Sequence, residues 1–401
     1  MRTFTAKFFH GFRAYVWALA LLVAAHSVGL RAQDEPGTLQ PEPEPAQLLP
    51  QASDPIAMIR EAYGLTEKAA SEAEFTKIAT LCEAAAAAPG VAAENSKYAR
   101  ELAAWALNKR GEKRLDNAGE LIAQGNGEQA EALFAEALAD FEKSVTLDAT
   151  RWKAIHNRGV SLAQAGQFER ALADFSRTIE LQSSYGNAWF NRGEVYYALG
   201  KYTEAIRDYD QALARLPGDL GAYTSRGHAY FQLGMLAGDP TTARRYFIAS
   251  LDDYNQTVNV DPNNPASYAN RADAYRSLAS WERAARDYRQ AIALDENNAQ
   301  ALHGAAWLMS TCPDENFRDA DLAVEAAEKA LKINGDSDFR YLDTLAAAYA
   351  NAGRFEDAVS TIEKAMAKAP AEQTNELQRR KVLYSQQKPF RQGQGEAAAG
   401  N

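Results

Sequence analysis

The sequence predicts an all-α protein built from stacked antiparallel helix pairs. Three observations carry this. Hydrophobic residues make up 46% of the 401 residues, enough to bury a core along most of the chain. Alanine is abundant and β-branched residues are few, which favours helix over strand. Most telling, the chain repeats itself: Gly159, Gly193 and Gly227 are spaced by 34 residues, and so are Gly166, Gly200 and Gly234.

The first 32 residues (1–32) read as an export signal. Arg2, Lys7 and Arg13 supply a positive start, Ala14–Leu30 an apolar stretch, and "LRAQ" a cleavage point after Ala32. An uncleaved anchor is the alternative, because the apolar run nears spanning length. The expected location is periplasmic or secreted, or membrane-tethered if the anchor is kept. No cysteine adjoins the cleavage point to accept a lipid. Residues 33–54 are rich in Pro and Glu, lack periodicity and are expected to form a disordered linker.

The formal charge is −10, and loss of Arg2, Lys7, Arg13 and Arg31 with the signal leaves −14. Such a surface disfavours nucleic acid and anionic membranes as partners. Cys82 and Cys312, 230 residues apart, would not meet in an extended stack and are expected as small buried side chains.

Each repeat divides into two helices. In the unit beginning near Trp189, the first helix carries Trp189, Gly193 and Tyr196. The turn "LGKY" follows, with Gly200 able to take the positive φ that ends a helix. The second helix spaces Ala205, Tyr209, Ala212 and Leu213 on one face. The large residue recurs as Phe175, Tyr209, Tyr254 and Tyr288. Pro217 and Pro262 close two units, and Asn297–Asn298 closes another.

At these residues the chain resembles the tetratricopeptide repeat (TPR) family, in six tandem units over 152–370. The resemblance implies an α-α superhelix, a TPR solenoid with a concave groove that binds peptides or partner proteins and has no catalytic chemistry of its own. The block from "AAWLMSTCPDENFRDA" to "AGRFEDA" resembles the end of repeat arrays in many bacterial proteins, so an exported bacterial type is expected.

Two units are longer than 34. One gains 11 residues, with Asp239–Pro240 reading as the cap and first residue of an early-starting second helix. The other gains six around Pro313, which breaks the helix. Upstream, 55–151 reads as helical with degenerate repeats: "EALADF" at Glu136–Phe141 matches "RALADF" at Arg170–Phe175. Residues 371–385 form a capping helix that shields the last apolar face, and 386–401 a disordered tail.

Arginine precedes the periodic small residue at Arg110, Arg158, Arg192, Arg226 and Arg271, where the family usually has an apolar residue. Aspartate precedes the large aromatic at Asp140, Asp174, Asp208, Asp253 and Asp287. Ala305 and Leu345 replace the arginine, and Ala326 and Thr361 the aspartate, in the last two units, so the two charges come and go together. The expectation is a bidentate ion pair within each helical pair. The rival reading is a basic ladder for an acidic ligand.

By the resemblance, the groove is lined by His156, Val160, Phe190, Glu194, Tyr197, His228, Phe231, Asp273, Arg276, His303 and Trp307. Asn157, Asn191 and Asn270 partly match the carboxylate clamp of the chaperone-binding subset, but His156 and Val160 stand where its Lys and Asn would be, so that ligand is not assigned. The three histidines lie in different units with no carboxylate or thiol at ligand spacing, and no catalytic or phosphate-binding motif is present. No catalytic residue, cofactor or metal is expected. The function expected is a non-catalytic scaffold binding a peptide or partner protein in the groove. The alternatives are a structural assembly factor of an envelope complex and an accessory subunit of an exported enzyme.

Overall fold

A computed structural model describes residues 54–393. The signal-like segment 1–32 and all but the last residue of the 33–54 linker lie outside the described residues. Those residues form seventeen α-helices and one short 3-10 turn, with no strand among them. None of these helices is long and apolar enough to cross a membrane. The chain divides into two compact units, Met1–Pro217 and Gly218–Asn401.

In the first unit, α1 (Pro55–Thr66) starts on Asp54, whose carboxylate accepts from Ile56 N. A capping box at Ser71 and Glu74 starts α2 (Glu72–Ala87). The long pair α3 (Ala93–Ala123) and α4 (Gly127–Leu147) follows. Then come α5 (Trp152–Gln164) with α6 (Phe168–Leu181), and α7 (Gly186–Ala198) with α8 (Tyr202–Arg215). Each helix packs on the next. Gly166 and Gly200 end α5 and α7 with φ of +72° and +71°, the left-handed turn the sequence requires.

The periodic glycines are contact points between paired helices. A Cβ built on Gly193 would meet the Tyr209 ring at 2.7 Å, and one on Gly159 would meet Phe175 at 2.9 Å. With only hydrogen there, each aromatic sits close against the facing helix and is fully buried. Burying one such ring contributes roughly 2–3 kcal/mol.

The second unit holds α9 (Leu220–Leu236) with the long α10 (Pro240–Val260), started by Asp239 accepting from Thr242 N. Next are α11 (Pro265–Ser277) with α12 (Trp281–Leu294), and α13 (Ala299–Thr311) with α14 (Ala320–Asn334). Pro313 and the 3-10 turn Glu315–Phe317 separate the last two. Finally α15 (Phe339–Asn351) pairs with α16 (Phe355–Lys368), and α17 (Ala371–Ser385) closes the stack. Leu377 and Tyr384 of α17 sit in one cluster with Leu342, Ala346 and Ile362. The turn after α11 has Ala279 at a φ of 56°, where the sibling turns have glycine.

The expected tail is folded at its start. Phe390 packs on Trp307, and Arg391 and Gln392 hydrogen-bond to the end of α13. Polar composition gave no sign of these contacts, which depend on an 81-residue return of the chain.

Candidate partner-binding groove

The periodic arginines lie on the first helix of each pair, where a basic ladder for an acidic ligand is the rival reading. Arg192 Nε and Nη2 donate to the two oxygens of Asp208 at 2.7 and 2.8 Å. The same fork joins Arg158 to Asp174, Arg226 to Asp253, Arg271 to Asp287 and Arg110 to Asp140. Every one of these aspartates is at most 6% exposed. The Asp208 hydrogen bond raises the Arg192 pKa above its ordinary value. With two donors of each fork on a buried carboxylate, the arginines pair inside the helical pairs, as the ion-pair reading expects, and their charge is neutralised there. Arg192 also lies over the Trp189 ring, 5.0 Å from its centroid.

Of the expected groove residues in the first unit, His156, Val160, Phe190 and Glu194 are buried. This corrects the expectation that these four line an open groove. His156 stands between Phe175 and Tyr185, at 5.6 and 5.0 Å between ring centroids, and 3.0 Å from Asn191 Nδ2. Burial pushes its pKa down to about 4. Phe190 packs on Tyr209, whose hydroxyl donates to Glu194 at 2.6 Å. Tyr197 is half-buried, edge-on to Tyr202. These residues turn toward the aromatic of their own second helix rather than to solvent: His156 and Val160 toward Phe175, Phe190 and Glu194 toward Tyr209.

The second unit differs. His228 and Phe231 are half-buried against Tyr254 and Phe247, and burial lowers the His228 pKa. The first helices α11, α13 and α15 lie side by side and gather a polar cluster. Asp273 accepts from Tyr288 Oη at 2.6 Å and from Gln300 Nε2 at 2.9 Å. Gln300 also donates to Asn270 Oδ1. Arg276 Nε donates to Tyr288 Oη at 3.2 Å and lies 3.6 Å from Asp273. His303 packs tilted against Tyr341, 4.6 Å between ring centroids, and its Nε2 donates to the Arg340 carbonyl; burial pushes its pKa down to about 4. Asp273 and Arg276 keep 22% and 25% of their side chains exposed, so a ligand can reach them.

The charges of Asp273 and Arg276 also act on His303, which places the three in one neighbourhood. Trp307 stands apart from it, against Arg380 and Phe390. The sequence reading passed over Gln300, Tyr288 Oη and Arg340. Gln300 and Arg340 have no periodic counterpart, and Tyr288 reads as core from its position. Among the described residues no group of three or more His, Cys, Asp or Glu could hold a metal ion. Cys82 and Cys312 are free and buried, with the Cys82 thiol pushed up to about 12 by burial.

Models of the tetratricopeptide repeat match residues 156–220, 265–298 and 342–376. Among curated proteins, the chain is similar to small glutamine-rich tetratricopeptide repeat-containing protein 2 of Saccharomyces cerevisiae, 30% identical over 104 residues. It is also similar to the heat-shock protein cognate (HSC) co-chaperone sgt12 of Aspergillus fumigatus, 31% identical over 99 residues. Each match takes 25% of this chain and spans 28% of the relative's length. Among solved structures, a tetratricopeptide repeat protein from Parabacteroides merdae is 14% identical, with a TM-score of 0.46, covering 68% of this chain and 98% of that one. YrrB, described as a TPR protein with an unusual peptide-binding site, is 18% identical with a TM-score of 0.37, covering 47% and 89%.

Proposed function

We propose that this chain, a tetratricopeptide repeat protein, is a non-catalytic scaffold that binds a partner protein through an extended segment laid along the first helices α11, α13 and α15. The observation that carries the reading is the Asp273–Arg276–Gln300–His303 cluster. Its polar groups are drawn from adjacent first helices, converge on one face and stay partly open to solvent. Arg276 offers a donor for a backbone carbonyl or carboxylate, and Asp273 an acceptor for a backbone N–H. The protein-binding role accords with the repeat matches and with the co-chaperone description of a relative. We further propose export, on the strength of the signal-like residues 1–32.

A random peptide library displayed on phage, selected against the full chain, tests the groove. The expected outcome is a selected peptide whose Kd rises at least tenfold in Arg276→Ala and His303→Ala, with unchanged helicity by circular dichroism. Unchanged affinity in both variants would remove the groove assignment.

A further inference from the structure

We propose that the Asp273–Arg276 site reads an uncharged amide on an internal stretch of its partner, and not a carboxylate. The inference rests on the groove reading above and names the chemistry of its ligand.

Asp273 and Arg276 stand one turn apart on α11 and do not close on each other. Arg276 Nη2 lies 3.6 Å from Asp273 Oδ1, too far for a hydrogen bond. Elsewhere the protein joins arginine to aspartate in five forks whose bonds are no longer than 3.0 Å. Here other groups hold the two charges. Tyr288 Oη donates to Asp273 at 2.6 Å and accepts from Arg276 Nε at 3.2 Å. Gln300 Nε2 donates to the second Asp273 oxygen at 2.9 Å. Among the described residues Nε makes the one hydrogen bond of the Arg276 guanidinium, so its remaining donors are left for a ligand. Both side chains reach solvent, 22% exposed for Asp273 and 25% for Arg276.

The result is an acceptor and a donor side by side on an open face. A primary carboxamide carries the matching donor and acceptor, as Asn and Gln show on a base edge. A residue of an extended chain carries them too, with its N–H and C=O on one edge of the strand. The protein supplies its own instance: the Gln300 carboxamide sits on Asp273 and also donates to Asn270 Oδ1 at 2.9 Å.

Charge decides against a carboxylate. The charges acting on His303 are those of Asp273, Arg276 and Arg340, and Arg340 is itself held by Asp338 at 2.6 Å. Burial keeps His303 uncharged at neutral pH and keeps the Tyr288 and Tyr341 hydroxyls protonated. The two acids and two bases therefore cancel. A carboxylate drawn to Arg276 meets Asp273 beside it, and the repulsion offsets the attraction. An amide meets no such conflict, because each end of its dipole faces a charge of opposite sign.

The test selects peptides against the full chain from two phage libraries, one displaying a free C-terminus and one without. Peptides whose binding is lost in Arg276→Ala are synthesised as C-terminal amides and as free acids, and read by fluorescence polarisation. The two forms are expected to bind the parent chain equally. If the amide is a side chain, changing the peptide's Asn or Gln to Asp or Glu weakens binding at least tenfold. If it belongs to the main chain, methylating one peptide nitrogen does so instead. Asp273→Asn, which keeps an acceptor for Tyr288 or Gln300, leaves Arg276 unopposed. In it the free acid and the Asp or Glu peptides are expected to gain at least tenfold, with helicity by circular dichroism unchanged. A parent chain that prefers the free acid tenfold, peptides indifferent to both changes, or no gain for acids in Asp273→Asn each overturns the amide assignment. The groove reading survives those outcomes, since the peptides still need Arg276. If no selected peptide depends on Arg276 or His303, the groove reading falls, and the amide assignment with it.

Discussion

Arg192 and Asp208 meet through two parallel N–H···O bonds between the helices of one repeat, with the carboxylate 4% exposed. Arg192→Ala leaves that carboxylate buried and unpaired. We expect a loss of ~3 kcal/mol, the low end for a buried pair because the arginine is 17% exposed. Asp208→Ala is expected to cost less, since Arg192 keeps Ser176 Oγ and the Trp189 ring. Urea unfolding of both single variants and the double variant measures the coupling. Strict additivity would show that the two residues act independently.

Glycine at the helix contact should tolerate nothing larger. Gly193→Ala places a methyl 2.7 Å from the Tyr209 ring, and overpacking of this kind costs about 1–3 kcal/mol. Gly119 lies within α3 with nothing within 4 Å of a built Cβ. There the same change is expected to stabilise by about 0.5–1 kcal/mol through helix propensity. Thermal unfolding should move in opposite directions for the two variants.

The turn after α11 offers the reverse substitution. Ala279 holds a φ of 56° where Gly166 and Gly200 occupy the sibling turns. Ala279→Gly removes a left-handed strain of roughly 1–2 kcal/mol, less the entropy glycine adds to the unfolded chain. A small gain in urea midpoint is expected. A loss would mean that the Ala279 methyl makes a stabilising contact exceeding the strain.

Two buried groups give opposite pH dependence. His156 is held at about 4, so between pH 6.5 and 4 the unfolded chain carries the extra proton and stability falls as pH drops. Burial pushes Asp343 up to about 7, so between about pH 4 and 7 the folded chain carries the extra proton and stability falls as pH rises. Urea midpoints from pH 4.5 to 7.5 should show a flatter acid loss in His156→Gln. They should show a flatter decline toward neutral pH in Asp343→Asn, whose side chain does not titrate. Parallel profiles for parent and variants would contradict both assignments.

The helical pairs and the charges between them were legible because they recur. A 34-residue period names Gly193 and Tyr209 as partners, and charges absent together in two units predict that Arg192 and Asp208 meet. Burial on the opposite face was not legible. Phe190 and Tyr197 look alike in the sequence, yet one is buried and the other half-exposed, because Tyr209 and the neighbouring repeat decide which is covered. Glu194 reads as a solvent-facing acid until the Tyr209 hydroxyl is found on it. The fold-back of Phe390 onto Trp307 follows no period, and composition alone made that segment look unattached.

In three of the arginine forks the remaining nitrogen donates to the previous helical pair. Arg110 Nη1 donates to Thr76 Oγ1, Arg192 Nη1 to Ser176 Oγ and Arg271 Nη1 to Asn255 Oδ1. Ser176 and Asn255 each lie two residues after the aspartate of their own pair. In that same place Glu142 precedes Arg158 and attracts its charge. After Asp287 the place is Arg289, and the following repeat has Ala305 instead of arginine. At these four junctions within the two units, one helical pair carries a socket that suits the plug of its successor. A rearranged gene that set a plug-bearing repeat behind Arg289 would bring two cations together. The order of these repeats is a grammar written in side chains, and duplication or shuffling is free only where plug and socket agree.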